Sequence, residues 1–443
     1  MEEFELAKKI LDDILDGGTS FNEALRKVFQ SNVALRPLRP LVAGLVGCEL
    51  RHHLLFRDVL SKQEGLNENE IRYSALALSD LYFVKRIDKE AMVEALKGVL
   101  GEKISLLDKL IENSDHAETL ISPELSKSSN KYLSLRYNTP EWVLKIWEHY
   151  GFGVTYKILK KNNRPGLETV RVRTSKISVE SVLNNNKDFA LSPVNDMLIY
   201  GGKTPLRKMD AYRQGDLFSE RLLTKSLLDQ YKIAEPMELF CYSGNKDASL
   251  LKEIIETYGN SIGINLGVPS LEEHMDVMAM IRRDNLKNVN FFEGNPDSFE
   301  SAISHPQDLV IASPNSSNFD LVREEPDFLL HFKKDEMDAL FKQEKDVLEN
   351  ASKFVAEGGT LIYMIYTISK KEGHQTIASF LANHPDFQAL AERQAFPFEE
   401  MDTAMYYAIL RKNSNVQKDA MGKGPVFVPK QEENVSTSVE SQH

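Results

Sequence analysis

Few groups in this sequence can do covalent or acid–base chemistry, and they are scattered. The two cysteines, Cys48 and Cys241, lie far apart and make neither a disulfide framework nor a metal cluster. His52 and His53 are adjacent, so on a helix they point to different sides and read as surface and boundary residues; no metal is expected. The most strongly patterned stretch is Gly358 to Phe387, GGTLIYMIYTISKKEGHQTIASFLANHPDF. It reads as a Gly-Gly turn, an apolar strand over Thr360–Tyr366, a polar break, and a helix over Gln375–Leu381 that stops before His384-Pro385-Asp386. Strand, loop and helix in that order form one unit of an α/β sheet. Ligands in such sheets sit at the carboxyl ends of the strands, so chemistry is expected around Tyr366 and Thr367.

The elements that must position this site follow from the pattern. From about Leu217 to Lys412 strands and helices alternate. Candidate strands are Met237–Cys241, Ser261–Leu266, Val289–Phe292, Leu309–Ala312, Thr360–Tyr366 and Met405–Leu410. A doubly wound sheet with a terminal antiparallel hairpin is the expected architecture. Residues 1–120 read as all-helical: Phe4, Ile10, Leu11, Ile14 and Leu15 recur at helical spacing, Asp16-Gly17-Gly18 ends that helix, and Thr19 or Ser20 can cap the next. A polar, Ser-rich linker over Glu112–Asn130 follows. The expected division is a helical domain over 1–120, a small basic subdomain over 126–215, a Rossmann-like domain over 216–412 and a disordered tail over 413–443.

Charge is distributed unevenly. The chain carries −12 overall, yet residues 126–213 hold 16 Lys/Arg against 7 Asp/Glu, a balance of +9 that leaves −21 for the rest. A basic segment inside an acidic chain is the footprint of a phosphate-binding surface or, more simply, a solvated basic face. No apolar run approaches the ~20 residues that span a bilayer, and MEEFELAKK lacks the order of a signal peptide. A cytoplasmic protein with no membrane partner is expected.

Gly358–Phe387 resembles, without a gap, the last catalytic motif of the RsmB (Sun/Nop) family of rRNA cytosine-5 methyltransferases, Gly-Gly-x-Leu-Val-Tyr-Ser-Thr-Cys-Ser-Ile followed by an acidic turn, a helix and His-Pro-Asp-Phe. Other stretches resemble the same family. RPLVAGLVGCELRHHLL and IRYSALALSDLYFVKRIDKEAMVEALKGVL are similar to its NusB-like domain. SLRYNTPEWVLKIWEHYG and NNRPGLETVRVRT match the segments that follow, the first carrying Trp142 and Trp147, which read as core anchors. YRQGDLFSERLLTKSLL matches the entry to the catalytic domain, with Glu220 and Arg221 where Gln and Asp are expected. The resemblance implies an all-α NusB-like domain followed by an α/β Rossmann-like S-adenosylmethionine methyltransferase domain with a small α/β RNA-binding subdomain.

What the resemblance implies about the site is a set of replacements. Glu238-Leu-Phe-Cys-Tyr-Ser-Gly244-Asn245-Lys246-Asp247 occupies the cofactor turn, where the family has Asp-Leu-Cys-Ala-Ala-Pro-Gly-Gly-Lys-Thr; Tyr242 and Asn245 should narrow the methionine end. Cofactor positions fall on Glu238, Ser243, Gly244, Asn245, Lys246, Asn265, Asn295 and Ala312, with Asn265 and Asn295 standing where aspartates are expected. In the family a thiolate attacks C6 of cytosine, an acid protonates N3 and a second cysteine assists release. Here the nucleophile position is Tyr366, the acid is Ala312 and the release position is Asn315. A phenol has an unperturbed pKa of ~10 against ~8.5 for cysteine, so Tyr366 is expected to fill the pocket rather than attack. RNA contacts are expected from Arg164, Arg171, Arg173, Lys203, Arg207, Lys208 and Arg213; on a strand Arg171 and Arg173 would share the face opposite Val170 and Val172.

The leading expectation is a pseudoenzyme that binds RNA, small-subunit rRNA above all. One alternative is an active S-adenosylmethionine-dependent rRNA methyltransferase using non-cysteine groups. Another is an interaction module whose NusB-like domain docks a ribosomal or transcription-factor partner.

Overall fold

The computed structural model describes residues 2–63, 65–105, 117–230, 238–259 and 261–414. The expected tail lies outside these residues but for its first two, as does the first part of the Ser-rich linker.

The chain opens with five helices, α1 (Glu2–Leu15), α2 (Phe21–Ser31), α3 (Arg39–Leu60), α4 (Glu68–Ser79) and α5 (Lys89–Leu100). Their apolar stripes form one core, in which Phe4, Ala7, Ile10, Leu11 and Ile14 of α1 are buried. Helix ends follow local chemistry. Asn67 and Glu70 form a reciprocal capping box on α4, and the Asp88 carboxylate accepts from the backbone N–H of Glu90 and Ala91 at the start of α5. Ser20 stands at the N-cap of α2 in extended conformation, but its side chain makes no capping hydrogen bond. His52 stacks on Phe83 at 3.9 Å, whereas His53 pairs with Glu49 at 2.7 Å, so the two rings do part company.

Three short helices follow, α6 (Asn130–Tyr137), α7 (Glu141–Trp147) and α8 (Phe152–Asn162). Trp147 is fully buried edge-on to Phe319, and Trp142 stacks on Phe332. Both are core anchors.

Among the described residues the strands form two sheets. The smaller is antiparallel, in the order β2 (Phe189–Leu191), β3 (Met197–Tyr200), β1 (Glu168–Val172), β4 (Leu217–Ser219), with helix α9 (Val179–Asn185) packed on it. Val170 and Val172 face its core, as their alternation implies. The alternate face is not solvated. Arg171 is 5% and Arg173 4% exposed.

The larger sheet has seven strands, β10 (Phe387–Ala395), β11 (Met405–Lys412), β9 (Val355–Ile365), β8 (Gln307–Ser313), β5 (Glu238–Ser243), β6 (Gly263–Val268) and β7 (Val289–Glu293), in that spatial order. β9, β8, β5, β6 and β7 are parallel, and β11 and β10 run back as a hairpin on β9. Helices α10 (Leu222–Gln230), α11 (Ser249–Tyr258), α12 (Met275–Arg283), α13 (Glu336–Ser352) and α14 (Thr376–Asn383) connect and flank these strands. This is a Rossmann-like methyltransferase fold, with the strand order reversing between β5 and β8. Ser243 and Ser313, in register, end those two strands side by side at the switch point.

Candidate functional site

The site is built where β5, β8 and β9 end. Tyr366, the first residue beyond β9, is 4% exposed. Its hydroxyl lies 3.1 Å from the Thr224 hydroxyl on α10, and its carbonyl accepts from the Ser316 hydroxyl at 3.3 Å. The Arg221 guanidinium covers the ring at 4.1 Å. Burial pushes the phenol well above its ordinary pKa, against the pull of Arg221, so the oxygen stays protonated.

Arg221 is held from two sides. It donates to Asp320 from Nε at 3.0 Å and Nη2 at 2.6 Å, and from Nη1 to Asp247 at 2.5 Å. Burial raises Asp320 to about 6, with Arg221 opposing the shift. Glu220 is buried beside it. One carboxyl oxygen accepts from the Arg221 backbone N–H at 2.7 Å, the other has no partner, and burial holds the group far above the usual carboxylate range. Both residues line a cavity of about 450 Å³ with Arg51, Thr169 and Asp247. The sequence flagged Glu220 and Arg221 as departures from a motif, but not the clamp they form.

A second polar cluster fixes the loops after β8 and β9. Glu372 accepts from the Ser317 backbone N–H at 2.7 Å, from the Ser317 hydroxyl at 2.8 Å and from the Thr367 hydroxyl. Glu344 of α13 lies against Glu372, and no nitrogen or hydroxyl donor reaches either of its oxygens. Burial, and then Glu372, raise Glu344 to about 11. At neutral pH Glu344 is therefore the protonated member and hydrogen-bonds to Glu372. Neither carboxylate was singled out from the sequence; the only signal was one acidic residue in the turn after the last motif strand.

The other two expected catalytic positions carry neither an acid nor a thiol. Ala312 is fully buried between Tyr242 and Tyr363 on the neighbouring strands. Asn315 bonds within its own loop, accepting from the Asn318 amide at 3.1 Å.

The cofactor positions do not converge. Ser243 and Gly244 lie at the carboxyl end of β5, as expected. Gly244 abuts the next loop: a Cβ there would sit 2.4 Å from the Asn315 nitrogen. Asn245 is buried, with its amide nitrogen unpartnered and its carbonyl against His274 Nε2. Lys246 points outward, 81% exposed, and pairs with Glu273. Glu238 begins β5 and so stands at its opposite end, five residues or about 17 Å from Ser243. Asn265 is the third residue of β6, not its end. Its amide donates to Gln307 at 3.1 Å and its oxygen accepts from Asn290 at 3.0 Å, a buried ladder across the sheet. The end of β6 is instead Gly267-Val268, and a Cβ on Gly267 would come within 2.5 Å of the Phe299 ring. Asn295 accepts from the buried Tyr242 hydroxyl at 3.2 Å. Rings of Tyr242, Phe240 and Phe299 thus fill the space beside β5 and β6.

The basic positions divide. Arg164, Lys203, Arg207, Lys208 and Arg213 are exposed. Arg171 and Arg173 are not available to a ligand. Arg171 donates to Glu253 at 3.0 Å, and Arg173 to Glu256 at 2.7 Å and Asp284 at 2.5 Å, which ties the small sheet to α11 and the end of α12. Alternation placed both on one face, but that face packs on another unit, which sequence periodicity does not report.

Comparison with known proteins bears on this arrangement. No family model matches the chain. The probable ribosomal RNA small subunit methyltransferase B of Bacillus subtilis is 22% identical over 393 residues, covering 83% of this chain and 85% of that protein. Further methyltransferase B proteins align over similar spans, that of Vibrio vulnificus at 23% identity over 92% of this chain and 99% of its own length. Over most of its length the chain is thus similar to the methyltransferase B proteins of the RsmB family. The crystal structure of PH0851 superposes with a TM-score of 0.72 at 16% identity, covering 92% of this chain and 99% of that one, so the two share a fold through nearly all of this chain. NSun6 from Pyrococcus horikoshii, crystallised with SFG, reaches a TM-score of 0.55 at 13% identity over 62% of this chain and 99% of its own.

Proposed function

We propose that this RsmB-like chain binds structured RNA, small-subunit rRNA in particular, and has shed cysteine-dependent methyl transfer. The observation that carries the reading is Tyr366. It occupies the nucleophile position as a buried, protonated phenol bonded to Thr224 and roofed by Arg221. A thiolate mechanism needs an accessible nucleophile and an acid for the base, and Ala312 offers no proton.

In this reading S-adenosylmethionine is not retained. The fold implies the cofactor, but the residues present do not fit it. The carboxylates that would accept from ribose are missing at Gly267 and Asn295, Phe299 crowds the first of these, and Lys246 turns away to Glu273. The chain is then a cytoplasmic protein in which a NusB-like unit (1–120), a small basic subdomain (126–215) and the Rossmann-like unit (216–412) act as an RNA-holding scaffold. No helix among the described residues is long and apolar enough to cross a membrane.

The test is transfer of a labelled methyl group from S-adenosylmethionine to small-subunit rRNA transcribed without modification, with Tyr366→Phe in parallel. RNA binding without incorporation is expected. Incorporation abolished by Tyr366→Phe would make the tyrosine a participant and overturn the proposal.

A further inference from the structure

We infer that the seam between the N-terminal helices and the small-sheet unit grips the phosphodiester backbone of a structured RNA. This rests on the RNA-binding reading above and locates its main contact. A cleft of about 720 Å³ opens there, with Arg26 of α2, Arg36 of the turn Val33–Leu38 and Arg39 at the start of α3 on one side, and Arg207 on the other. All four are exposed. Among the described residues none of the four guanidiniums meets a carboxylate. The cleft's one acidic side chain, Glu23, lies 3.6 Å from Lys27 instead.

The contrast with other arginines is informative. Arg57, Arg72, Arg171, Arg173, Arg221 and Arg323 are each neutralised by an acidic partner. Four unpaired guanidiniums around one concavity raise a positive potential that an anion relieves. The guanidinium fork matches two phosphate oxygens at once, and Asn22 and Gln30 add neutral donors. The site spans two structural units, which suits an extended polyanion better than a free phosphate. Helix α3 also carries Arg51 into the cavity beside Glu220, twelve residues or about 18 Å further along.

The full-length chain is titrated with unmodified small-subunit rRNA over a salt series. Wild type is compared with Arg36→Gln/Arg39→Gln/Arg207→Gln and with Lys334→Gln/Lys342→Gln/Lys345→Gln, on and just before α13, as a control that removes the same three charges. The arginine variant should keep its circular dichroism and thermal transition, since it alters exposed side chains only. Its slope of log affinity against log salt should fall by roughly 0.7–0.9 per phosphate contact removed, about 2–3 in all, with the control unchanged. Equal slopes for wild type and arginine variant would overturn this site while leaving RNA binding intact. No RNA binding by wild type would overturn the functional proposal itself. Competition by poly-glutamate as strong as by RNA would reassign the cleft to an acidic protein partner.

Discussion

Arg221 sits with its guanidinium 4.1 Å from the centre of the Tyr366 ring while bonding Asp320 on one side and Asp247 on the other. The tyrosine is therefore part of a polar clamp joining α10, the turn after β5 and the loop after β8. Removing the arginine strands two carboxylates, one of them buried. Arg221→Ala should destabilise the fold by about 3 kcal/mol. Tyr366→Phe deletes only the bond to Thr224 and should cost about 1 kcal/mol. Urea unfolding of the two variants checks both; equal losses would mean that the clamp does not act through Arg221.

Restoring the thiol alone should not restore the reaction. Tyr366→Cys leaves Ala312, Asn315 and the aromatic filling of Tyr242 and Phe299 in place. No labelled methyl group should reach rRNA, and calorimetry should show no heat with millimolar S-adenosylmethionine. Turnover by the single variant would show that only the nucleophile had been missing.

The Glu344–Glu372 pair should appear in the pH dependence of stability. Glu344 is raised from 4.5 to about 11 on folding, so the native state holds its proton where the unfolded state has released it. Its contribution is complete below pH 4.5 and is lost as pH rises towards about 11. Glu344→Gln should flatten that decline, becoming increasingly stable relative to wild type on the alkaline side. Glu372→Gln should destabilise at neutral and alkaline pH, where the Ser317 and Thr367 donors lose their charged acceptor, and less in acid, where burial favours the protonated carboxyl. Thermal melts across pH read both outcomes.

Arg173 offers a check on which basic residues face RNA. Arg173→Ala strands the buried Glu256 and leaves Asp284 to Lys176, and should cost about 3 kcal/mol. Its RNA affinity, measured on the folded fraction at low salt, should match wild type. A selective loss of affinity with unchanged stability would return the residue to the RNA surface.

Strand positions and the helical first unit were legible because burial on both sheet faces and helical spacing leave direct marks in the sequence. β5, β6, β7, β8, β9 and β11 all fall where apolar runs predict, within a few residues. β10 escaped because only its two end residues, Phe387 and Ala395, are buried, so it carries no apolar run. The position of Tyr366 was legible from an ungapped motif. The cofactor positions were less so: an offset of two residues between Asn265 and Gly267 moves a side chain from the strand end into the sheet. Arg171 and Arg173 misled for a different reason, since a partner face supplied by another unit leaves no trace in local alternation.

Gly244 is the part of the cofactor turn that looks best preserved, yet its hydrogen atom faces the Pro314–Asn315 peptide with no room for carbon. Any larger residue would drive two loops apart whether or not a nucleotide ever docks there. The packing of two loops alone therefore demands a glycine here, and its presence is by itself no evidence for or against a nucleotide.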